Sequence, residues 1–133
     1  MGTTLKQQIK SYFSGQDDIN SVYLFGSIVS DRLKENSDID IAILTHSGDL
    51  SVLDQMSMSQ ELSDVAGKDI DLIELSGVSV ILQNQVLRKG ELIICRDRRA
   101  LNQFIVRSNQ EYIDLKRVRK PIEERLRWVS IYD

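Results

Sequence analysis

The run of residues 38–44 constrains the fold more than any other part of the sequence. Isoleucine occupies every second position from residue 39 to residue 43, and the alternate positions hold Asp38, Asp40 and Ala42. Successive side chains of a β-strand point to opposite faces of its sheet, so this period-two pattern predicts a strand with one isoleucine-lined face. Two acidic side chains are then left together on the other face.

Helical and strand patterns alternate around this strand. The predicted strands are residues 21–25, 38–44, 69–75 and 91–95. The predicted helices begin at Thr3 or Thr4 and stop near Gly15, cover 28–33, begin at Asp49 and close at Gly67, cover 79–89, and begin at Asp97. In the last helix, Pro121 is expected to cause a break or kink. This alternation indicates an α/β or α+β domain.

Composition limits the classes of protein to consider. The 133 residues, 41% of them apolar, suit a single domain at residues 1–133, with a C-terminal helix at about 97–128. The net charge of −3 argues against direct nucleic-acid binding through overall positive charge. We find no signal peptide and no membrane-spanning run. The single cysteine, Cys95, excludes a disulfide framework and indicates the cytoplasm.

Asp38 and Asp40 are candidate metal ligands. Two residues apart on one strand, they project from the same face with Cα atoms about 6.5 to 7 Å apart. Like charges this close oppose each other's ionisation, and a divalent cation such as Mg²⁺, which prefers carboxylate oxygens, would relieve the repulsion. The alternative is a solvated strand face, but aspartate is disfavoured in strands and two within an isoleucine-rich strand need a reason.

Gly26 and Ser27 precede this strand and form a candidate phosphate site. A strand that ends in a small-residue turn and enters a helix offers free backbone N–H groups. The missing Cβ of Gly26 permits close approach by a phosphate, and Ser27 adds a hydroxyl donor. A glycine-serine pair alone is a common turn; it gains meaning from the paired aspartates that follow.

A third carboxylate is predicted at Asp69 or Asp71, which are also two residues apart. We favour Asp71 because Ile70 and Leu72 flank it within a strand. It could bind a second metal ion or act as a base on an attacking hydroxyl group.

Gly26-Ser27 followed by Asp38-Ile39-Asp40 resembles the signature of the polymerase-β-like nucleotidyltransferase superfamily. More closely, the chain resembles the minimal MNT antitoxins of the MntA family, which partner HEPN ribonuclease toxins. The likeness continues through residues 69–72, 90–97 and 111–116. It implies an α+β fold with a mixed sheet of about four strands flanked by helices.

The resemblance also implies an activity, namely Mg²⁺-dependent transfer of AMP from ATP to a tyrosine hydroxyl of a cognate HEPN toxin. The implied metal and catalytic residues are Asp38, Asp40 and Asp71, and the implied phosphate-binding residues are Gly26 and Ser27. Many relatives have an arginine where this chain has Ser30, and Arg32 is the candidate substitute for triphosphate binding. Such an enzyme would form a hetero-oligomer with its toxin, away from membranes.

Two other functions remain open on the sequence. A small-molecule nucleotidyltransferase that works with a partner subunit would act on free small acceptors. A binding-only antitoxin would neutralise its toxin by occlusion, without use of the aspartates.

Overall fold

The computed structural model describes residues 4–26 and 38–132, with side chains through residue 125 except residue 123. Its elements are α1 (Leu5–Phe13), β1 (Ile19–Phe25), β2 (Ile39–Thr45), α2 (Val52–Ala66), β3 (Ile70–Glu74), a 3₁₀ helix (Leu75–Gly77), α3 (Val80–Lys89), β4 (Glu91–Cys95) and α4 (Arg98–Tyr132). All four predicted strands are present. The predicted short helix at 28–33 lies outside the described residues.

The four strands form one mixed sheet in the order β3-β2-β1-β4. β1 lies antiparallel to both β2 and β4, whereas β2 and β3 are parallel. Parallel neighbours need a crossover connection, and α2 supplies it. This mixed sheet with flanking helices confirms the predicted α+β fold class.

Apolar clusters cover both faces of the sheet. One contains Ile39, Ile41 and Ile43 with side chains from α1 and α2, including the buried Phe13 and Leu62. The other lies under α3 and α4, and its buried members are Tyr23, Ala42, Leu44, Leu75, Val86 and Leu101. The alternation in β2 therefore divides its side chains between the two faces of the sheet, as predicted, and apolar side chains cover both faces.

Helix ends agree with the sequence except at α2. Thr4 caps α1, Gly67 closes α2 with a φ of 69°, and the Asp97 carboxylate accepts from the first amides of α4. The prediction that Asp49 begins α2 was wrong. Ser51 is the cap, with its Oγ 3.0 Å from the Asp54 nitrogen, because the chain first turns at Gly48, where φ is 67°.

The predicted break at Pro121 is absent, because α4 runs through the proline to Tyr132. Proline removes one donor from a helix of 35 residues, and its exposed position lets water bond the carbonyl group that loses its partner. No helix in the two described ranges is both long and apolar enough to span a bilayer.

Gly90 joins α3 to β4 where there is no room for a side chain. A Cβ there would lie 2.5 Å from the Val86 carbonyl oxygen and 3.2 Å from that of Leu24. We predict that Gly90→Ala lowers the free energy of unfolding by about 1 to 3 kcal/mol, because backbone atoms must shift. Gly77→Ala is the control, since a Cβ at Gly77 meets nothing within 4 Å. Urea unfolding of both variants provides the measurement, and equal losses would contradict the prediction.

Candidate active site

Three chain segments meet at one end of the sheet. β1 ends at Phe25, whose Cα partner across the antiparallel pair is Asp40, and Gly26 follows directly. Across the parallel pair, the register partner of Asp40 is Asp71. Neighbouring strands lie about 4.8 Å apart, so the two aspartates are immediate neighbours. The sheet thus gathers Gly26 and two of the predicted carboxylates.

The three predicted carboxylates act on one another electrostatically. Asp40 is half-buried, whereas Asp38 and Asp71 are exposed. The pKa of Asp40 is raised, first by burial and then by the negative charges of Asp71 and Asp38. Asp38 directly precedes β2 and is two residues from Asp40, so it lies at the same end of the sheet.

Asp69 has a different environment from Asp71. It precedes β3, and its backbone carbonyl oxygen accepts a hydrogen bond of 2.9 Å from the Ile39 nitrogen. The register partner of Asp40 in β3 is Asp71, not Asp69. Of the two alternatives from the sequence, Asp71 is therefore the one that the strand register sets beside Asp40.

Gly26 combines a left-handed backbone with a close approach to Asp40. Its φ is 77°, which residues with a Cβ rarely adopt. A Cβ at this position would lie 2.2 Å from Asp40 Oδ2. The missing side chain therefore leaves the space that the Asp40 carboxylate occupies.

The donor set fits a hard divalent cation. Three carboxylates supply the oxygen ligands that Mg²⁺ prefers, and a cation would offset the charges that raise the pKa of Asp40. Within the described ranges, no three His, Cys, Asp or Glu side chains already form a metal-ligating group.

Two predicted phosphate-binding residues, Ser27 and Arg32, lie outside the described residues. Three polar residues of α2 near this site were missed by the sequence analysis. The side chains of Gln55, Ser59 and Ser63 form hydrogen bonds with backbone groups of β3, on the side of β3 that faces away from β2. Their four-residue spacing was the available signal, but nothing in the sequence indicates which strand a polar helix stripe will face.

Comparison with known proteins identifies the family. The model described as "Polymerase beta, Nucleotidyltransferase" matches residues 7–99, which is most of the chain. The chain belongs to this nucleotidyltransferase family. Membership implies a nucleotide substrate and, in most members, a divalent metal ion. The matched residues include β1, Gly26 and all three carboxylates.

Relatives within the nucleotidyltransferase family include a protein adenylyltransferase. MntA of Shewanella oneidensis is 36% identical over 70 residues, which are 53% of this chain and 50% of the relative. The match thus spans only half the length of that relative.

Solved structures extend the likeness to nearly the whole chain. A toxin-antitoxin crystal structure with AMP-PNP has a TM-score of 0.79 and 27% identity, and covers 91% of this chain and 97% of the matched one. A complex of tri-AMPylated Shewanella oneidensis HEPN toxin with MNT antitoxin has a TM-score of 0.74 and 25% identity, and covers 92% and 95%.

We predict that Gly26→Ala impairs nucleotidyl transfer beyond its effect on stability. The new Cβ must displace the Asp40 carboxylate, and a shift of about 1 Å can cost about a hundredfold in rate. Gly48→Ala is the matched control, because Gly48 also has a positive φ, 67°, but no neighbour within 4 Å of its Cβ. Both variants should lose about 1 to 2 kcal/mol of stability from backbone strain.

The two variants are compared by urea unfolding and by transfer rate at saturating nucleotide and metal. Equal rates in the two variants would show that Gly26 serves the turn alone.

Proposed function

We propose that this chain is an antitoxin that transfers AMP from ATP to a tyrosine hydroxyl of a cognate HEPN ribonuclease toxin in the cytoplasm, and so neutralises it. The observation that carries the proposal is the meeting of Asp38, Asp40, Asp71 and Gly26 at one end of the sheet. Family membership and the likeness to MntA and to toxin-antitoxin structures support it.

In this proposal Asp38, Asp40 and Asp71 hold Mg²⁺. When bound, Mg²⁺ would supply charge neutralisation of the triphosphate and alignment of the acceptor hydroxyl. In the same proposal Gly26, Ser27 and Arg32 bind the phosphates, with Arg32 adding a positive charge. The half-buried position of Asp40 holds one carboxylate fixed, while the exposed Asp38 and Asp71 adjust around it.

The transfer exchanges one phosphorus–oxygen bond for another. The tyrosine oxygen forms a bond to the α-phosphorus of ATP, while the bond from that phosphorus to the bridging oxygen of the β-phosphate breaks. Pyrophosphate leaves, and the hydroxyl proton passes to water or to Asp71 acting as a base. The chain contributes mainly positioning, since no covalent intermediate is required.

A protein acceptor suits the exposure of this site. Both Asp38 and Asp71 are open to solvent at the strand ends. We propose that residues 1–133 act as one minimal nucleotidyltransferase domain, which would use most of its residues to build the sheet and its covering helices. A partner would then bring its own tyrosine to the open carboxylates.

We predict that Asp40→Asn and Asp71→Asn each lower AMP transfer by about two orders of magnitude or more, because a metal ligand is lost. Asp69→Asn removes a carboxylate two residues from Asp71 and should retain most of the activity. The assay uses the purified chain, Mg²⁺, α-labelled ATP and the proposed HEPN partner, sought as the product of the adjacent gene, with label on the HEPN protein as the readout.

Each alternative function gives a different pattern in the same assay. A binding-only antitoxin would leave the HEPN protein unlabelled, and Asp40→Asn would still neutralise its ribonuclease activity. A small-molecule nucleotidyltransferase would label added free acceptors instead. A loss of activity in Asp69→Asn equal to that in Asp71→Asn would contradict the assignment of the third carboxylate.

A further inference from the structure

The outer edge of β3 is bonded to side chains of α2. Within residues 4–26 and 38–132, β3 is an edge strand of the sheet, and no described strand lies beside its outward peptide groups. Ser59 Oγ donates to the Ile70 carbonyl oxygen at 2.7 Å, and Gln55 Nε2 donates to that of Leu72 at 2.7 Å. The Ile70 nitrogen donates to Ser63 Oγ at 3.2 Å. These three α2 residues, spaced four apart, form a single stripe, here called the α2 stripe.

The α2 stripe forms its hydrogen bonds with the residues on either side of Asp71 in the chain. Ile70 and Leu72 are its two neighbours in the chain, and their outward carbonyl groups are the ones bonded to α2. On the opposite edge, β3 pairs with β2 in the register that sets Asp71 beside Asp40. The segment that carries Asp71 is thus hydrogen-bonded from both sides, as a central strand would be.

Attachment of α2 to the sheet does not require the stripe. The buried Leu62 and Met58 already pack α2 into the core cluster that includes Ile70 and Leu72. The stripe hydrogen bonds are only partly buried, and each is worth about 1 kcal/mol. Apolar packing is not directional, whereas hydrogen bonds fix where donor and acceptor lie. The α2 stripe therefore defines the position of β3 against α2 more than it strengthens the contact between them.

We propose that Gln55 and Ser59 are positioning residues, which fix β3 so that the Asp71 carboxylate can share a metal ion with Asp40. The inference rests on the proposed metal role of Asp71. Asp71 is exposed, so the position of its backbone, more than packing around its side chain, decides whether its oxygens can reach an ion at Asp40. Residues that hold metal ligands in place typically change metal affinity by about tenfold or more when removed.

The test compares matched pairs of variants. Ser59→Ala is paired with Ser108→Ala, which removes a buried serine hydrogen bond of 2.9 Å to Gln83 between α4 and α3. Gln55→Ala is paired with Gln60→Ala, because Gln60 lies on the same helix but bonds Asp64 of α2 instead of β3.

Two quantities are measured for every variant. One is the Mg²⁺ concentration that gives half-maximal AMP transfer at saturating ATP. The other is Mn²⁺ affinity, measured by electron paramagnetic resonance in the presence of a non-hydrolysable ATP analogue. This affinity measurement does not depend on enzyme activity. We expect Ser59→Ala and Gln55→Ala to raise the half-maximal Mg²⁺ concentration about tenfold and to lower the Mn²⁺ affinity about tenfold. Ser59→Thr keeps the hydroxyl group and should therefore behave like the unchanged chain, in contrast to Ser59→Ala.

The controls separate position from stability. Ser108→Ala and Gln60→Ala should leave metal dependence unchanged, even where Ser108→Ala lowers the unfolding free energy more than Ser59→Ala does. Unchanged metal affinity in Ser59→Ala and Gln55→Ala, or an equal loss in Ser108→Ala, would overturn the inference.

The Asp71→Asn variant distinguishes failure of the positioning role of Gln55 and Ser59 from failure of the proposed metal role of Asp71. If it weakens Mn²⁺ binding and the stripe variants do not, the positioning role alone is refuted. If it leaves Mn²⁺ binding unchanged, the metal role of Asp71 is refuted, and with it the basis of the inference.

Discussion

Parallel pairing of β2 with β3 places Asp40 beside Asp71, and the candidate site depends on this contact. Like charges at opposed positions of neighbouring strands destabilise a sheet. Burial adds to the cost, since it is the largest cause of the raised Asp40 pKa, and Asp38 contributes a third negative charge. The fold therefore maintains a local repulsion at one end of its sheet, which a divalent cation would offset.

The rest of the structure keeps this unfavourable end in place. Away from the strand ends, the sheet is apolar on both faces, so two core layers hold β2 on either side. α2 serves twice, as the crossover between the parallel strands and as the cover of the β3 edge. An uncovered edge would also invite pairing with other chains, so the α2 stripe limits that risk. At the end of β1, Gly26 provides the space for Asp40.

Much of this arrangement was predictable from local sequence patterns. The period-two alternation identified β2 with Asp40 and with Asp38 directly before it, because side-chain direction in a strand follows from spacing alone. The choice between Asp69 and Asp71 could not be settled in this way, since residues two apart share a face. Strand register sets Asp71 beside Asp40, and register depends on long-range packing.

Other features depended on competition between nearby groups. Asp49 and Ser51 are both residues that commonly cap helices. Because the chain turns at Gly48, α2 begins after Ser51, and Ser51 is the cap. The hydrogen bonds from Gln55 and Ser59 to β3 could not be predicted from the sequence, because a polar residue on a helix gives no sign of its partner. Pro121 shows the reverse, since a strong local signal for a break was overridden in a long exposed helix.

Crystals of the chain grown with Mn²⁺ and a non-hydrolysable ATP analogue would locate the metal ion by anomalous diffraction at the manganese edge. We predict an anomalous peak within about 2.5 Å of carboxylate oxygens from Asp38, Asp40 and Asp71, with the triphosphate beside Gly26. Nucleotide bound elsewhere on the molecule, or bound at this end of the sheet without metal at the carboxylates, would contradict it.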